Sequence, residues 1–298
     1  MTRNTLLRLL VFFLGIPLLA LSAVLFPEQQ LPLFGALVVF ASAVAAYEAA
    51  FFFPPHVRKY PARSVVIPAI GGGIPAIGYL SIHLLPSRVA PTMTAASLLL
   101  VTLTVLVSLT MAVQVLKRRE TEIFQIINVV GAHVFLMIYP GLFAWHAVRI
   151  VSLPDPSILI LVFVLSVFMN DSLAWVFGRL FGPFTKKKDA PPPVAVSPNK
   201  SVVGFVGGFL ASIAVVLLAG AVFPTQFSGG VVRKIVFGTI VGVSAILGDL
   251  VESAFKRSAT IKDSGQVIPG RGGLLDSIDS PLFAAPFYYY SYSLIFGF

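Results

Sequence analysis

The chain is a succession of apolar runs, each about as long as a lipid bilayer is thick. A helix needs about 20 apolar residues to cross the hydrocarbon core. Nine stretches meet or approach that length: 5–26, 32–53, 64–85, 95–116, 123–147, 157–182, 202–224, 231–255 and 281–297. Backbone N–H and C=O groups find no water at that depth, so such runs fold as helices packed on one another. Of the 298 residues, 57% are hydrophobic and 11% charged, which excludes an ordinary soluble domain. The expected fold is an all-α polytopic membrane protein with about nine transmembrane helices. The run at 64–85 is the weakest. Gly71, Gly72, Gly73 and Pro75 make it a candidate for a broken or re-entrant span. The first run has a basic start but no small-residue cleavage pattern, so it reads as a span rather than a removable signal. Cysteine is absent, which excludes disulfides and thiolate metal ligands.

The charges set the expected orientation. With nine spans, sixteen of the 21 basic residues fall on one side: Arg3 and Arg8, Arg58, Lys59 and Arg63, Lys117, Arg118 and Arg119, Lys186, Lys187, Lys188 and Lys200, and Lys256, Arg257, Lys262 and Arg271. The other side holds Arg88, Arg149, Arg233 and Lys234. An excess of Lys and Arg marks the cytoplasmic side, so the N-terminus and the long loops are expected there. The net charge of +9 is then explained by topology and anionic lipid head groups rather than by nucleic acid.

Ionisable residues inside apolar spans are costly and mark function. They crowd into the second half of the chain. In 231–257, Asp249, Glu252, Ser253, Lys256 and Arg257 stand at i, i+3, i+4, i+7 and i+8, so they line one helical face. In 165–182, Asp171, Trp175 and Arg179 are spaced by four and share a face beside Asn170. An ion pair of Asp171 with Arg179 is the plain structural reading of that second stripe. Ser197, Lys200 and Ser201 precede Gly204, Gly207 and Gly208. That arrangement suits a phosphate at a helix N-terminus, or simply a capped helix with a small packing face. The segment 258–280 is Gly-rich and carries Lys262, Asp263, Arg271, Asp276 and Asp279. Glycine admits close backbone approach to a ligand. Carboxylates with few histidines suit a hard cation such as Mg²⁺. No internal repeat is evident. The chain divides into 1–150, read as scaffold helices with lipid or dimer contacts, and 151–298, which holds the chemistry with loops at 185–200 and 258–280.

Segment 253–279, SAFKRSATIKDSGQVIPGRGGLLDSID, resembles the signature of the phosphatidate cytidylyltransferases, matching its spacing without a gap. Two further blocks, DSLAWVFGRLFG from Asp171 and SPNKSVVGFVGG from Ser197, resemble that family's other elements in order. The resemblance covers about residues 165–290. It implies transfer of the cytidylyl group of CTP to phosphatidate with Mg²⁺, in a bacterial-type inner membrane with the site facing the cytoplasm. It assigns Asp249 and Asp276 as metal ligands, with Asp263 and Asp279 supporting them. Lys200, Lys256, Arg257 and Lys262 would bind phosphates. Ser197, Ser201, Ser253, Asp171 and Arg271 complete the substrate contacts. A second cation such as K⁺ and a homodimer are compatible with it. Three positions depart from the signature: Arg271 replaces His, Ser277 replaces Arg and Val203 replaces Glu. Three other readings stay open from the residues: a CTP-dependent enzyme acting on another lipid, a paralogue altered by these departures, and a transporter. The crowding of polar groups at one end, with no repeated half, speaks against the last.

Overall fold

The structure is a computed structural model that describes residues 31–54, 66–84, 94–118, 120–185, 192–268 and 272–297. Among these residues it is built of helices, and its one β-type contact is an isolated bridge between Ile268 and Gly272. Eight helices follow one another: α1 (Pro32–Ala49), α2 (Val66–Leu84), α3 (Ala95–Gln114), α4 (Ile126–Ser152), α5 (Pro156–Thr185), α6 (Val202–Val222), α7 (Val231–Ser258) and α8 (Leu275–Phe296). They correspond to the second to ninth apolar runs. The run at 5–26 lies outside the described residues. By length and composition six of them can cross a membrane: α1 with its extension to Phe52, α3, α4, α5, α6 and α7. The most extensive pairings are α5 with α6, α1 with α2, α7 with α8 and α6 with α7. Helix α8 also touches α1, α4 and α5, so it ties the two halves together.

The run at 64–85 is not broken. Helix α2 continues through Pro75. Proline lacks the N–H that would bond the carbonyl four residues back, which here is Gly71. Ser42 of α1 supplies the missing donor: its hydroxyl lies 2.7 Å from the Gly71 oxygen. The same hydroxyl lies 2.8 Å from the Pro140 oxygen, so its one proton serves both carbonyls. Pro140 sits in a π-helical turn, Met137–Leu142, within α4. The glycines do not break α2 but let it approach α1. A Cβ on Gly71 would fall 2.9 Å from the Ser42 carbonyl oxygen, and one on Gly72 would fall 3.0 Å from Ala43 Cβ. Small residues at helix contacts are what an apolar solvent favours, because close packing is the available attraction there.

The second half is fixed by similar means. Asn170 of α5 is buried and donates to Ser212 of α6 at 2.9 Å and to the Gly242 carbonyl of α7 at 3.2 Å. Ser212 in turn donates to the Ser166 carbonyl at 3.0 Å. Gly204, Gly207 and Gly208 form the face of α6 that meets α5. Phe227, Phe237, Tyr288 and Tyr292 are fully buried in the core between α7 and α8. Ser42→Ala should cost about 1 kcal/mol, as expected for a hydrogen bond between membrane helices. A lowered thermal unfolding temperature in detergent checks this, with the purified protein remaining monodisperse.

Candidate active site

Helix α7 supplies the centre of the site, and its end is sharply defined. Thr260 adopts a left-handed conformation (φ 58°). Thr260 N–H donates to the Arg257 carbonyl at 3.0 Å and Ile261 N–H to the Lys256 carbonyl at 2.9 Å. These two bonds stop the helix in the manner of a Schellman cap. Helix α8 begins at Leu275, and Ile268 and Gly272 pair in an isolated bridge just before it. The last turns of α7 and the first turn of α8 therefore lie side by side.

Lys256 joins them. Its ammonium forms ion pairs with Glu252, which is fully buried, and with Asp276 at 2.6 Å. The other oxygen of Asp276 accepts the backbone N–H of Gly273 at 2.7 Å and of Ser264 at 2.9 Å. Asp249, one turn earlier on α7, pairs with Lys200, and these two side chains remain 33% and 26% exposed. They form the open side of the cluster. Asp279 is buried one turn further along α8, with Oδ1 accepting the Ser280 N–H at 2.6 Å. Ser280 donates to Asp171 of α5 at 3.3 Å. Asp279 lies within Coulombic range of Asp249 and Asp171. Tyr139 of α4 closes the inner side. Its buried hydroxyl has no hydrogen-bond partner and lies within Coulombic range of Asp249, Glu252, Asp276 and Asp279.

The structure thus gathers six of the thirteen predicted residues: Asp171, Asp249, Asp276, Asp279, Lys200 and Lys256. Ser197 forms a turn, accepting the Lys200 N–H at 3.2 Å, and so places Lys200. Ser201 is buried as the N-cap of α6, where its hydroxyl accepts the Gly204 N–H at 3.1 Å. Ser253 is half-buried on α7. Arg257, in the last turn of α7, and Lys262 and Asp263, just beyond it, are exposed. Arg271 lies outside the described residues, as do Lys186, Lys187 and Lys188. Arg179 stacks over Trp175, with its guanidinium carbon 5.6 Å from the ring centre.

Two residues carry more than the sequence suggested. Glu252 belongs to the stripe but had no role. Glu48 of α1 was passed over altogether. It is buried, and its carboxylate accepts the N–H groups of Leu274 (3.0 Å) and Leu275 (2.7 Å) and the Ser264 hydroxyl (3.3 Å). Its signal was present: it is the single charged residue in 32–53.

The charge balance bears on a metal. Five carboxylates, Asp171, Asp249, Glu252, Asp276 and Asp279, gather near Lys200, which pairs with Asp249, and Lys256, which pairs with Glu252 and Asp276. A desolvated surplus of carboxylates is unfavourable without further positive charge. The donors are all oxygens, the set that Mg²⁺ prefers. Among the described residues no three His, Asp or Glu side chains converge as a ready metal cage. The residues present suit an ion that takes few protein ligands and completes its shell from substrate oxygens.

Acids, lysines and glycines thus gather at one end of an apolar helical bundle. The profile of the cytidylyltransferase family matches residues 6–295, and the chain belongs to that family. Over 122 residues it is 40% identical to the phosphatidate cytidylyltransferase of Staphylococcus haemolyticus, covering 41% of this chain and 44% of that protein. Over 123 residues it is 41% identical to the phosphatidate cytidylyltransferase of Chlamydia muridarum, covering 40% and 38%. It is also 35% identical over 150 residues to the uncharacterized protein YnbB of Escherichia coli, covering 49% and 47%. The chain therefore matches less than half the length of these relatives.

The lysine at the centre gives a stability prediction. Lys256→Met leaves Glu252 buried without its counter-charge and should cost about 3–5 kcal/mol, the usual effect of removing one partner of a buried pair. Adding Glu252→Gln should recover part of that loss. Thermal unfolding of the single and double variants in detergent checks both statements.

Proposed function

We propose that the chain transfers the cytidylyl group of CTP to phosphatidate, giving CDP-diacylglycerol and pyrophosphate, at the cytoplasmic face of the membrane. The observation that carries the reading is the cluster at the α7–α8 junction, where Lys256 and Lys200 sit among five acids at one end of an apolar bundle. The names of the relatives and the family match support the same reading.

The chemistry asks little of the protein in the way of covalent work. A phosphate oxygen of phosphatidate forms a bond to the α-phosphorus of CTP. The bond from that phosphorus to the bridging oxygen of the β-phosphate breaks, and pyrophosphate leaves with the electron pair. Both reactants are anions, so positioning and charge neutralisation dominate. Lys200, on the open side of the cluster, is placed to meet the nucleotide phosphates. Lys256, held between Glu252 and Asp276, fixes the carboxylate geometry. Arg257 and Lys262 line the exposed approach and would draw in a polyphosphate. Mg²⁺ held by Asp249 and Asp276 would supply the charge that stabilises the phosphate oxygens and the leaving group.

The lipid has its own way in. An apolar groove beside α8 is lined by Phe143, Ile240, Phe283, Phe287, Tyr290 and Leu294. Phe283 packs against Gly248, the residue before Asp249. A phosphatidate head group at the cluster could thus keep an acyl chain in the groove.

Three outcomes are expected. With CTP labelled in the cytidine, Mg²⁺ and phosphatidate, label should move to the lipid phase as pyrophosphate appears, whereas release of CDP would indicate a lipid kinase. Asp249→Ala and Asp276→Ala should each abolish transfer, with little rescue by added Mg²⁺, and near-normal turnover of either would sink the assignment. Ile240→Trp should slow transfer to long-chain phosphatidate several-fold while leaving a short-chain, soluble phosphatidate unaffected.

A further inference from the structure

The first turn of α8 has no cap of its own. The residue at its N-cap is Leu274, whose side chain cannot accept a hydrogen bond. The free N–H groups of a helix start need acceptors, and a buried start without them is costly. Here the acceptors come from far away in sequence. Glu48 takes the Leu274 and Leu275 N–H groups, and Asp276 takes that of Gly273. Glu48 also accepts from Ser264, on the other limb of the glycine-rich turn. One carboxylate from α1 therefore ties both limbs of the 261–274 turn to the start of α8. Asp276 stands in that first turn, bound to the same two limbs through Ser264 and Gly273.

Two of the turn's glycines explain how the carboxylate fits. A Cβ on Gly265 would lie 2.9 Å from Glu48 Cδ and 3.2 Å from its Cγ, and the three nearest atoms it meets all belong to Glu48. A Cβ on Gly273 would meet the Ser264 hydroxyl, itself bonded to Glu48, and lie 2.7 Å from Glu48 Cδ. Neither glycine has a positive φ, unlike Gly272 (φ 111°), so backbone conformation does not require glycine at these two positions. The Glu48 side chain cannot simply swing aside, because it is buried and its three hydrogen bonds would be lost.

We propose that Glu48 is a positioning residue of the active site: it is the internal anion around which the glycine-rich turn folds, and Gly265 and Gly273 are glycine in order to admit it. On this account the N-terminal half sets where Asp276 stands. The carboxylate also lies at the positive end of the α8 dipole, where negative charge is favourable. Its effect on catalysis rests on the cytidylyl-transfer reading, whereas its effect on the turn does not.

The test is a double-mutant cycle on the full-length protein in detergent, with Glu48→Ala, Gly265→Ala and the double variant. Each variant is read by thermal unfolding, by Mn²⁺ binding followed by electron paramagnetic resonance, and by cytidylyl transfer. Each single variant should weaken Mn²⁺ binding and lower kcat at least tenfold. With Glu48 gone, the Gly265→Ala methyl has nothing to strike, so the double variant should match Glu48→Ala within about twofold in every readout. Such non-additivity is the mark of two groups in direct contact. If the two losses multiply instead, Gly265 is glycine for another reason and the proposal fails. If Glu48→Ala lowers the unfolding temperature but leaves Mn²⁺ binding and kcat unchanged, Glu48 is a structural cap only, and the positioning role is overturned. Glu48→Gln guards against misfolding. It keeps the shape but places an amide against N–H donors, so it should show the Mn²⁺ defect in a protein that remains monodisperse. Absence of cytidylyl transfer in the unaltered protein would refute the functional reading, while the cycle would still be read in Mn²⁺ binding and unfolding.

Discussion

Burying charge in an apolar bundle is the constraint on which the rest of this structure depends. Each ionisable or orphaned polar group at depth must find a partner within the protein, because lipid offers none. Lys256 shows the consequence most directly. It holds Glu252 on its own helix and Asp276 on the next one, so the α7–α8 contact is fixed by charge as well as by the Phe237, Tyr288 and Tyr292 core. The same rule explains Ser42, which bonds the carbonyl that Pro75 leaves open and the Pro140 carbonyl, and Asn170, which joins three helices. Polar side chains here act as fasteners at defined heights, and glycines set how closely the helices approach.

The active-site geometry follows from where helices end. Residues in mid-helix are held by packing on all sides and have little freedom to meet a phosphate. The end of α7, the turn of 261–274 and the start of α8 instead present free backbone groups and side chains to the same small region. Asp276 draws on both sources, accepting from Lys256 and from two backbone N–H groups. Lys200 and Asp249, still partly exposed, are the members that a water-soluble nucleotide can reach. Asp279 and Glu252 are deeper members, both buried.

Much of this was legible in the sequence, for definable reasons. Apolar run length located the helices, because about 20 residues is a bilayer-imposed constant. The i, i+3, i+4 and i+7 spacing located the α7 stripe, because it depends only on helix pitch. What failed to show was anything decided across sequence distance. Pro75 and three glycines looked like a break because the donor that repairs the helix, Ser42, is 29 residues from Gly71. Glu48 stood alone in an apolar run and was read as scaffold, since its acceptors' partners lie more than 200 residues away.

The departures from the family signature acquire a physical meaning in this setting. Ser277 stands where the signature carries Arg. It is buried, one residue past Asp276, and its hydroxyl turns back to the Gly273 carbonyl at 3.5 Å. An arginine beside this cluster would bring a permanent positive charge, since a guanidinium does not deprotonate in proteins. Without it, the cluster of five carboxylates lacks that charge. The loss therefore leaves the local field more negative than the signature would make it. A more negative field strengthens attraction for a cation and weakens it for a polyphosphate that arrives without one. Substitution at this position thus shifts the burden of neutralisation from the protein toward whatever cation accompanies the nucleotide, while leaving the hydrogen-bonded frame around Asp276 intact.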